Sequence, residues 1–274
     1  MKTIIVPTDF SATSLNAAEY ACRLAGFYNA EVWLFHTYQI PVAVGEFAFA
    51  ALDVVQMQKA AEHELDLMKK AVLEKIDIPV TVNTFACIGE LQNELKNFCD
   101  EKHPDIVVMG LTGKNALTQL IVGSNTIVTI NNLHYPILVI PPKASFNPIR
   151  KLGFACDFKE VNKDVPVALI RQFAKDFNAD LFVLNVDYQN ENFDINTMEE
   201  RHTLSELLGN IEAEYRNIEY EDVTEGISWF AEQASIDVLI TIPKKHTLLQ
   251  KIFGRSHTRE LIYHTHIPVL CIHQ

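Results

Sequence analysis

Four short segments recur in the same order in the two halves of the chain, and that repetition restricts the fold more than any other feature. Ile4-Ile5-Val6-Pro7-Thr8-Asp9-Phe10 resembles Leu152-Gly153-Phe154-Ala155-Cys156-Asp157-Phe158, each placing an aspartate just past an apolar strand and ahead of an amphipathic helix. Asn29–Phe35 matches Asn178–Leu184, Asp105–Val108 matches Asp237–Ile240, and His134–Ile140 matches His266–Ile272. Because the order is preserved, the chain reads as a tandem duplication. The segment Pro141-Pro142-Lys143-Ala144-Ser145-Phe146-Asn147-Pro148 is proline-rich and breaks both the strand and the helix period. The expected division is a first domain at 1–142, a linker at 143–149 and a second domain at 150–274, which a chain of 274 residues accommodates.

Within the first half, the pattern predicts strands near 3–7, 31–36, 80–86, 105–109 and 136–140, alternating with helices. The first helix carries Leu15, Ala18, Cys22 and Ala25 on one face, with Ser11 placed to cap it. A second, over roughly 52–75, presents Leu52, Val55, Leu65, Met68 and Val72; a third spans about 89–101 and a fourth starts at Ser124. Near-continuous apolar strands alternating with helices predict an α/β fold of two tandem doubly wound parallel sheets. The irregular apolar region 40–51 reads as a packed loop, with a lid or an interface as the alternative. In such sheets a ligand sits beyond the carboxyl ends of the strands, where the winding reverses. With strand order 3-2-1-4-5, that crevice brings Asp9, after the first strand, beside Gly110, after the fourth.

Three of the chain's 10 glycines fall in residues 105–126. The run Ile106–Met109 breaks at Gly110, crosses a loop holding Gly113 and meets Gly123-Ser124 where a helix can begin. Strand, glycine loop and helix start together let backbone N–H groups approach a phosphate with no Cβ in the way. A formal net charge of -12 argues against a nucleic-acid partner. No run is long enough to span a membrane, and Pro7 and Asp9 break the apolar N-terminus, which disfavours a signal peptide. Five scattered cysteines with no CxxC fit reduced thiols and a cytoplasmic setting.

Gly110, Gly113, Gly123 and Ser124 fit the spacing G-x2-G-x9-G-[ST], and with the opening Val6-Pro7-Thr8-Asp9-Phe10-Ser11 and the closing Pro136–Ile140 strand the chain resembles the universal stress protein family (UspA-like). The resemblance covers both halves, as in a tandem member, and implies a HUP-type fold related to adenine nucleotide alpha hydrolases. It further implies that the first half binds ATP, alone or with Mg2+. Asp9 would take the ribose hydroxyls with Pro7 and Thr8 on the same wall, Thr37 would lie near the adenine, and Met109 and Gly110 would flank base and sugar. Gly113, Gly123, Ser124 and Asn125 would face the phosphates, with the positive end of the helix behind them. Taken alone, Asp9 reads sooner as a cap of the first helix than as a ribose ligand, Gly110 and Gly113 read as turn glycines, and Lys114 either supplies a charge or is an ordinary exposed lysine.

The second half departs from the motif. It reads Ile240-Thr241-Ile242-Pro243-Lys244-Lys245-His246 and later Phe253-Gly254-Arg255-Ser256, keeping Asp157 and one glycine but not the first two. Its Lys244, Lys245, Lys251 and Arg255 read as a solvated face. A P-loop, a G-x-G-x-x-G and a G-x-S-x-G are all missing. The histidines His257, His264, His266 and His273 read as structural rather than as metal ligands, and no nucleophile stands beside a base. The expectation is an ATP-binding stress-response or regulatory protein with one site and no catalytic residues. The alternatives are a slow ATP hydrolase or nucleotidyl-transfer enzyme at the same site, and an interaction module that ignores nucleotide. Pairing of the strands around 136–140 and 268–272 would remove two sheet edges and make an intramolecular pseudo-dimer, with further pairing of whole chains left open.

Overall fold

A computed structural model describes residues 1–40, 54–111, 124–158, 161, 165–187, 195–243, 261–262 and 265–273. The chain divides into two compact units, Met1–Tyr135 and Pro136–Gln274. The first contains β1 (Thr3–Pro7), α1 (Ala12–Tyr28), β2 (Glu31–Tyr38), α2 (Val54–Leu73), β3 (Thr81–Ile88), α3 (Leu91–Lys102), β4 (Ile106–Gly110) and α4 (Ser124–Asn132). Its strands lie side by side as β3-β2-β1-β4, and the pairs β3–β2, β2–β1 and β1–β4 are parallel. Every residue of β4 and all but the first of β1 are buried, as expected of central strands covered on both faces. β3, at the edge, alternates with exposed positions.

The second unit contains β5 (Ile137–Ile140), β6 (Lys151–Ala155), α5 (Val167–Phe177), β7 (Asp180–Asp187), α6 (Ile195–Leu208), β8 (Ala213–Glu219), α7 (Val223–Gln233), β9 (Val238–Thr241) and β10 (Val269–Cys271). Its strand order is β5-β10-β9-β6-β7-β8. All neighbours in it are parallel except β5 and β10, which run antiparallel with Val139 opposite Val269 and Ile137 opposite Cys271. Both units therefore show the doubly wound α/β pattern that the alternation of strands and helices predicts.

Local chemistry repeats with the topology. Ser11 caps α1, accepting the Ser14 N–H at 3.2 Å. Asn29 and Asn178 end α1 and α5 in the left-handed region, at φ 52 and 48 degrees, where asparagine is tolerated better than most residues. Asp105 Oδ2 accepts the N–H groups of Lys2 and Thr3 at 2.6 and 3.0 Å; Asp237 Oδ2 accepts those of Arg150 and Lys151 at 2.7 and 2.9 Å. Each aspartate thus ties the start of a central strand to the turn preceding its neighbour. We expect Asp105→Ala and Asp237→Ala each to cost about 1–2 kcal/mol, since two charge-assisted bonds go at once. The midpoint of urea unfolding reads this, and an unchanged midpoint would show that water replaces the carboxylate fully.

Two details differ from the periodic reading. Val55 is exposed rather than buried, because the buried stripe of α2 is Ala61, Leu65, Met68 and Val72, from which Val55 lies well around the helix. The third helix starts at Leu91 and not at 89, because Gly89 sits at φ +142 degrees, a conformation no helix contains. Leu52 and nearly all of the apolar region 40–51 lie outside the described residues.

All five cysteines are free. Burial pushes the thiols of Cys22 and Cys99 up to about 12 and that of Cys87 up to about 11, with nearby carboxylates adding to the effect. Burial alone pushes Cys271 up as well. A thiol that stays protonated is a poor nucleophile. Labelling of Cys22, Cys87, Cys99 and Cys271 in the native chain by a thiol reagent at pH 8 should therefore be slow, with these groups reacting promptly only in denaturant. Prompt reaction of Cys22 or Cys99 in the native chain would contradict the packing.

Candidate functional site

The chain leaves β1 through a corner in which the N–H groups of Thr8, Phe10 and Ser11 each find an acceptor. The Thr8 N–H continues the ladder to the Phe35 carbonyl at 2.8 Å. The Phe10 N–H donates to Thr8 Oγ1 at 3.0 Å, and the Ser11 N–H donates to Asp9 Oδ1 at 3.1 Å. These short loops force Phe10 to φ 61 degrees, a costly conformation for a bulky residue that persists only where the surroundings hold it. The hold is visible: the Phe10 ring lies 4.3 Å from the His36 ring, and Thr8 Oγ1 lies 2.9 Å from Ser14 Oγ in the first turns of α1. Asp9 therefore does not cap α1, which Ser11 does; it terminates the turn before it.

Asp9 stands at the edge of solvent with a carboxyl held below its ordinary value of 3.8. Burial alone would raise it, but hydrogen bonds from the Ser11 side chain and backbone and from the Ser14 hydroxyl outweigh that cost. One oxygen accepts the Ser11 N–H, and a carboxylate has acceptor capacity beyond a single donor.

A cleft of about 300 Å³ opens at the carboxyl ends of β1, β2 and β4. Pro7, Thr8, Asp9 and Ser14 line it from the β1 corner, and His36, Thr37 and Gln39 from the end of β2. Met109 and Gly110 line it from β4, Asn125 and Thr126 from the first turn of α4, and Glu90, Leu91 and Gln92 from the start of α3. The volume suits a small ligand in a largely preformed pocket. Seven residues singled out from sequence, Pro7, Thr8, Asp9, Thr37, Met109, Gly110 and Asn125, face this one space. Gly113, Gly123 and Lys114 lie outside the described residues, and Ser124 is described only as the first residue of α4.

Sequence reasoning missed Gln39, Glu90 and Gln92, which form a polar rim. Gln39 Nε2 donates to Glu90 Oε1 at 2.8 Å, and Gln92 Nε2 donates to Asn125 Oδ1 at 3.3 Å. No motif marks them, since they come from the end of β2 and the start of α3 rather than from the β4 loop. His36 was missed too, although it directly follows the apolar run Val32–Phe35.

Gly110 has a role the sequence did not show. A Cβ there would lie 2.5 Å from the Thr13 carbonyl oxygen and 2.7 Å from its carbon. The missing side chain lets the first turn of α1 press against the end of β4, and Thr126 Oγ1 donates to the Gly110 carbonyl at 3.3 Å. Close helix–strand packing by itself demands glycine at this position.

With this geometry in view, comparison with known proteins is decisive. The sequence profile of the universal stress protein family matches residues 1–141. The chain belongs to the universal stress protein family. It is 32% identical over 139 residues to the universal stress protein MJ0531 of Methanocaldococcus jannaschii, covering 51% of this chain and 81% of that protein. It is 25% identical over 157 residues to MJ0577 of the same organism, covering 53% and 97%. A universal stress protein structure from Archaeoglobus fulgidus superposes with a TM-score of 0.73, covering 99% of this chain and 98% of that one at 13% identity. At that identity the likeness establishes the fold alone, and it does so over both units.

The second unit of this universal stress protein keeps the corner and differs beside it. Phe158 takes φ 50 degrees as Phe10 does, its N–H donating to Cys156 Sγ at 3.4 Å where Thr8 Oγ1 serves in the first copy. At the position of Gly110 the repeat places Ile242, a buried side chain. Pro243 follows, also buried. Lys244, Lys245, Lys251, Gly254 and Arg255 lie outside the described residues.

Proposed function

We propose that this universal stress protein binds one ATP, in the cleft of its first unit, and acts as a nucleotide-dependent regulatory protein in a stress response. The observation carrying the reading is the convergence of Asp9, Thr37, Met109, Gly110 and Asn125 on one cleft at the reversal of winding between β1 and β4. An Asp9 carboxylate is suited to accept the vicinal hydroxyls of a ribose. Pro7, Thr8 and Met109 offer the sugar and base a partly apolar wall. The start of α4, at Ser124 and Asn125, directs a positive dipole end at bound phosphates.

The ionisable side chains among the described lining residues are Asp9, Glu90 and His36, with neither lysine nor arginine. The triphosphate charge is therefore assigned to backbone N–H groups of the Gly110–Ser124 loop, including those of Gly113 and Gly123. Where Mg2+ accompanies ATP, the phosphates supply its anchoring oxygens, since no described cluster of three His, Cys, Asp or Glu could hold a metal. The second unit, with Ile242 where the first has Gly110, is proposed as a structural partner rather than a second site.

The proposed domains are 1–142 and 150–274, with 143–149 as linker. They are read as an intramolecular pseudo-dimer. A cytoplasmic location fits five free cysteines, and no described helix is long and apolar enough to cross a membrane. Thermal unfolding with and without millimolar ATP tests the function. A ligand at one hundred times its Kd adds about 2.7 kcal/mol, so a clear rise in melting temperature is expected, reduced in Gly113→Val. No rise in the wild type would overturn the reading.

A further inference from the structure

The corner that aims Asp9 is fastened from the neighbouring strand in both units, by different side chains making the same bond. In the first unit, His36 Nδ1 lies 2.8 Å from the Thr8 carbonyl oxygen. In the second, Asn185 Nδ2 donates to the Cys156 carbonyl at 2.9 Å. His36 and Asn185 hold equivalent places, on β2 and β7, and Thr8 and Cys156 are equivalent in the repeat. Each carbonyl belongs to the residue before the aspartate and two before a phenylalanine in the left-handed region. A corner so strained needs an external tie, and both copies supply one at the same carbonyl.

The chemistry also fixes the state of the imidazole. A carbonyl oxygen only accepts, so Nδ1 carries the hydrogen, as the amide nitrogen of Asn185 does. Neutral His36 then bears no hydrogen on Nε2. The residue lines the cleft as well, with its ring against Phe10, so one side chain joins the wall of the cleft to the backbone that carries Asp9.

We propose that His36 is a positioning residue for nucleotide recognition: its Nδ1–H bond to the Thr8 carbonyl holds the Thr8-Asp9-Phe10 corner so that the Asp9 carboxylate meets the ribose hydroxyls. The proposal rests on the ATP reading above and adds a residue and a role to it. Loss of the tie leaves Asp9 in place chemically but loosens its aim, so the effect falls on ribose discrimination rather than on fold.

The test is titration of ATP and 2′,3′-dideoxy-ATP into the full chain by calorimetry, for wild type, His36→Ala, His36→Asn and Asn185→Ala. Wild type should prefer ATP. His36→Ala should weaken ATP about tenfold and bring the two ligands close to equal affinity, as loss of one well-aimed charge-assisted contact does. His36→Asn, which borrows the solution used in the second unit, should restore the wild-type preference to within about threefold, and Asn185→Ala should leave it unchanged. A His36→Ala variant that binds ATP with the wild-type preference overturns the proposal, as does a His36→Asn variant no better than His36→Ala. Independently of any ligand, the imidazole nitrogen shifts of His36 in labelled wild type should show Nδ1 protonated, and a neutral ring protonated on Nε2 overturns it. Failure of the wild type to bind ATP defeats the ATP reading first and is recognisable as such, because it precedes any difference between variants.

Discussion

Gly110→Ala should lower the stability of the ligand-free chain by about 2–3 kcal/mol, and Gly110→Val by more. The new Cβ meets the Thr13 carbonyl group at 2.5–2.7 Å and the Ser14 nitrogen at 3.1 Å, all of them backbone atoms at the start of a helix. A flexible side chain could swing aside; a helix N-terminus cannot move without disturbing the Ser11 cap and the Thr8–Ser14 contact. For a chain of this size the loss corresponds to a fall of roughly 5–10 °C in melting temperature. If Gly110 served only to let a ligand approach, the ligand-free variant would melt as the wild type does, and ATP affinity alone would suffer. Calorimetry of the ligand-free variant separates the two. Because the same glycine lines the cleft, the packing account also expects ATP affinity to drop, as a consequence of the displaced α1.

Asp9→Ala should weaken ATP about 30-fold, the equivalent of ~2 kcal/mol for a charged acceptor facing two hydroxyls. The fold should survive, since α1 is capped by Ser11 and the Thr8 ladder bond is independent of the carboxylate. The variant should also lose the preference for ATP over 2′,3′-dideoxy-ATP, and a preserved preference would place the sugar elsewhere. The same carboxylate makes a signed contribution to stability. Its folded value lies below 3.8, so the Ser11 and Ser14 hydrogen bonds contribute stability that is present above pH 3.8 and is lost as pH falls through the folded value. Asp9→Asn should therefore flatten the acid side of the stability curve, lowering stability at neutral pH and leaving it little changed below the folded value.

The duplication was legible because strand ends are marked by chemistry that survives divergence. Asp105 and Asp237 each accept two N–H groups from the start of the adjacent strand, and Asn29 and Asn178 each close a helix in the left-handed region. Fold class followed from strands such as Ile106–Gly110, buried throughout and so apolar throughout. The cleft was legible where it comes from strand ends that topology brings together, Asp9 after β1 and Gly110 at the end of β4. Its rim was not, because Glu90 and Gln92 sit at the start of an amphipathic helix, where polar residues are ordinary. His36 was missed because its partner is a backbone carbonyl 28 residues away, which no side-chain pattern encodes. Gly110 shows a different limit. A glycine demanded by helix–strand packing and one demanded by ligand approach look the same in sequence, and only the distance to Thr13 tells them apart.

The central claim is that one chain holds one ATP and that the first unit holds it. Calorimetric titration of ATP into the wild type, Asp9→Ala and Asp157→Ala tests it most directly. One site per chain is expected, severely weakened in Asp9→Ala and unchanged in Asp157→Ala. Two sites, or a site that Asp157→Ala abolishes and Asp9→Ala spares, would contradict the account.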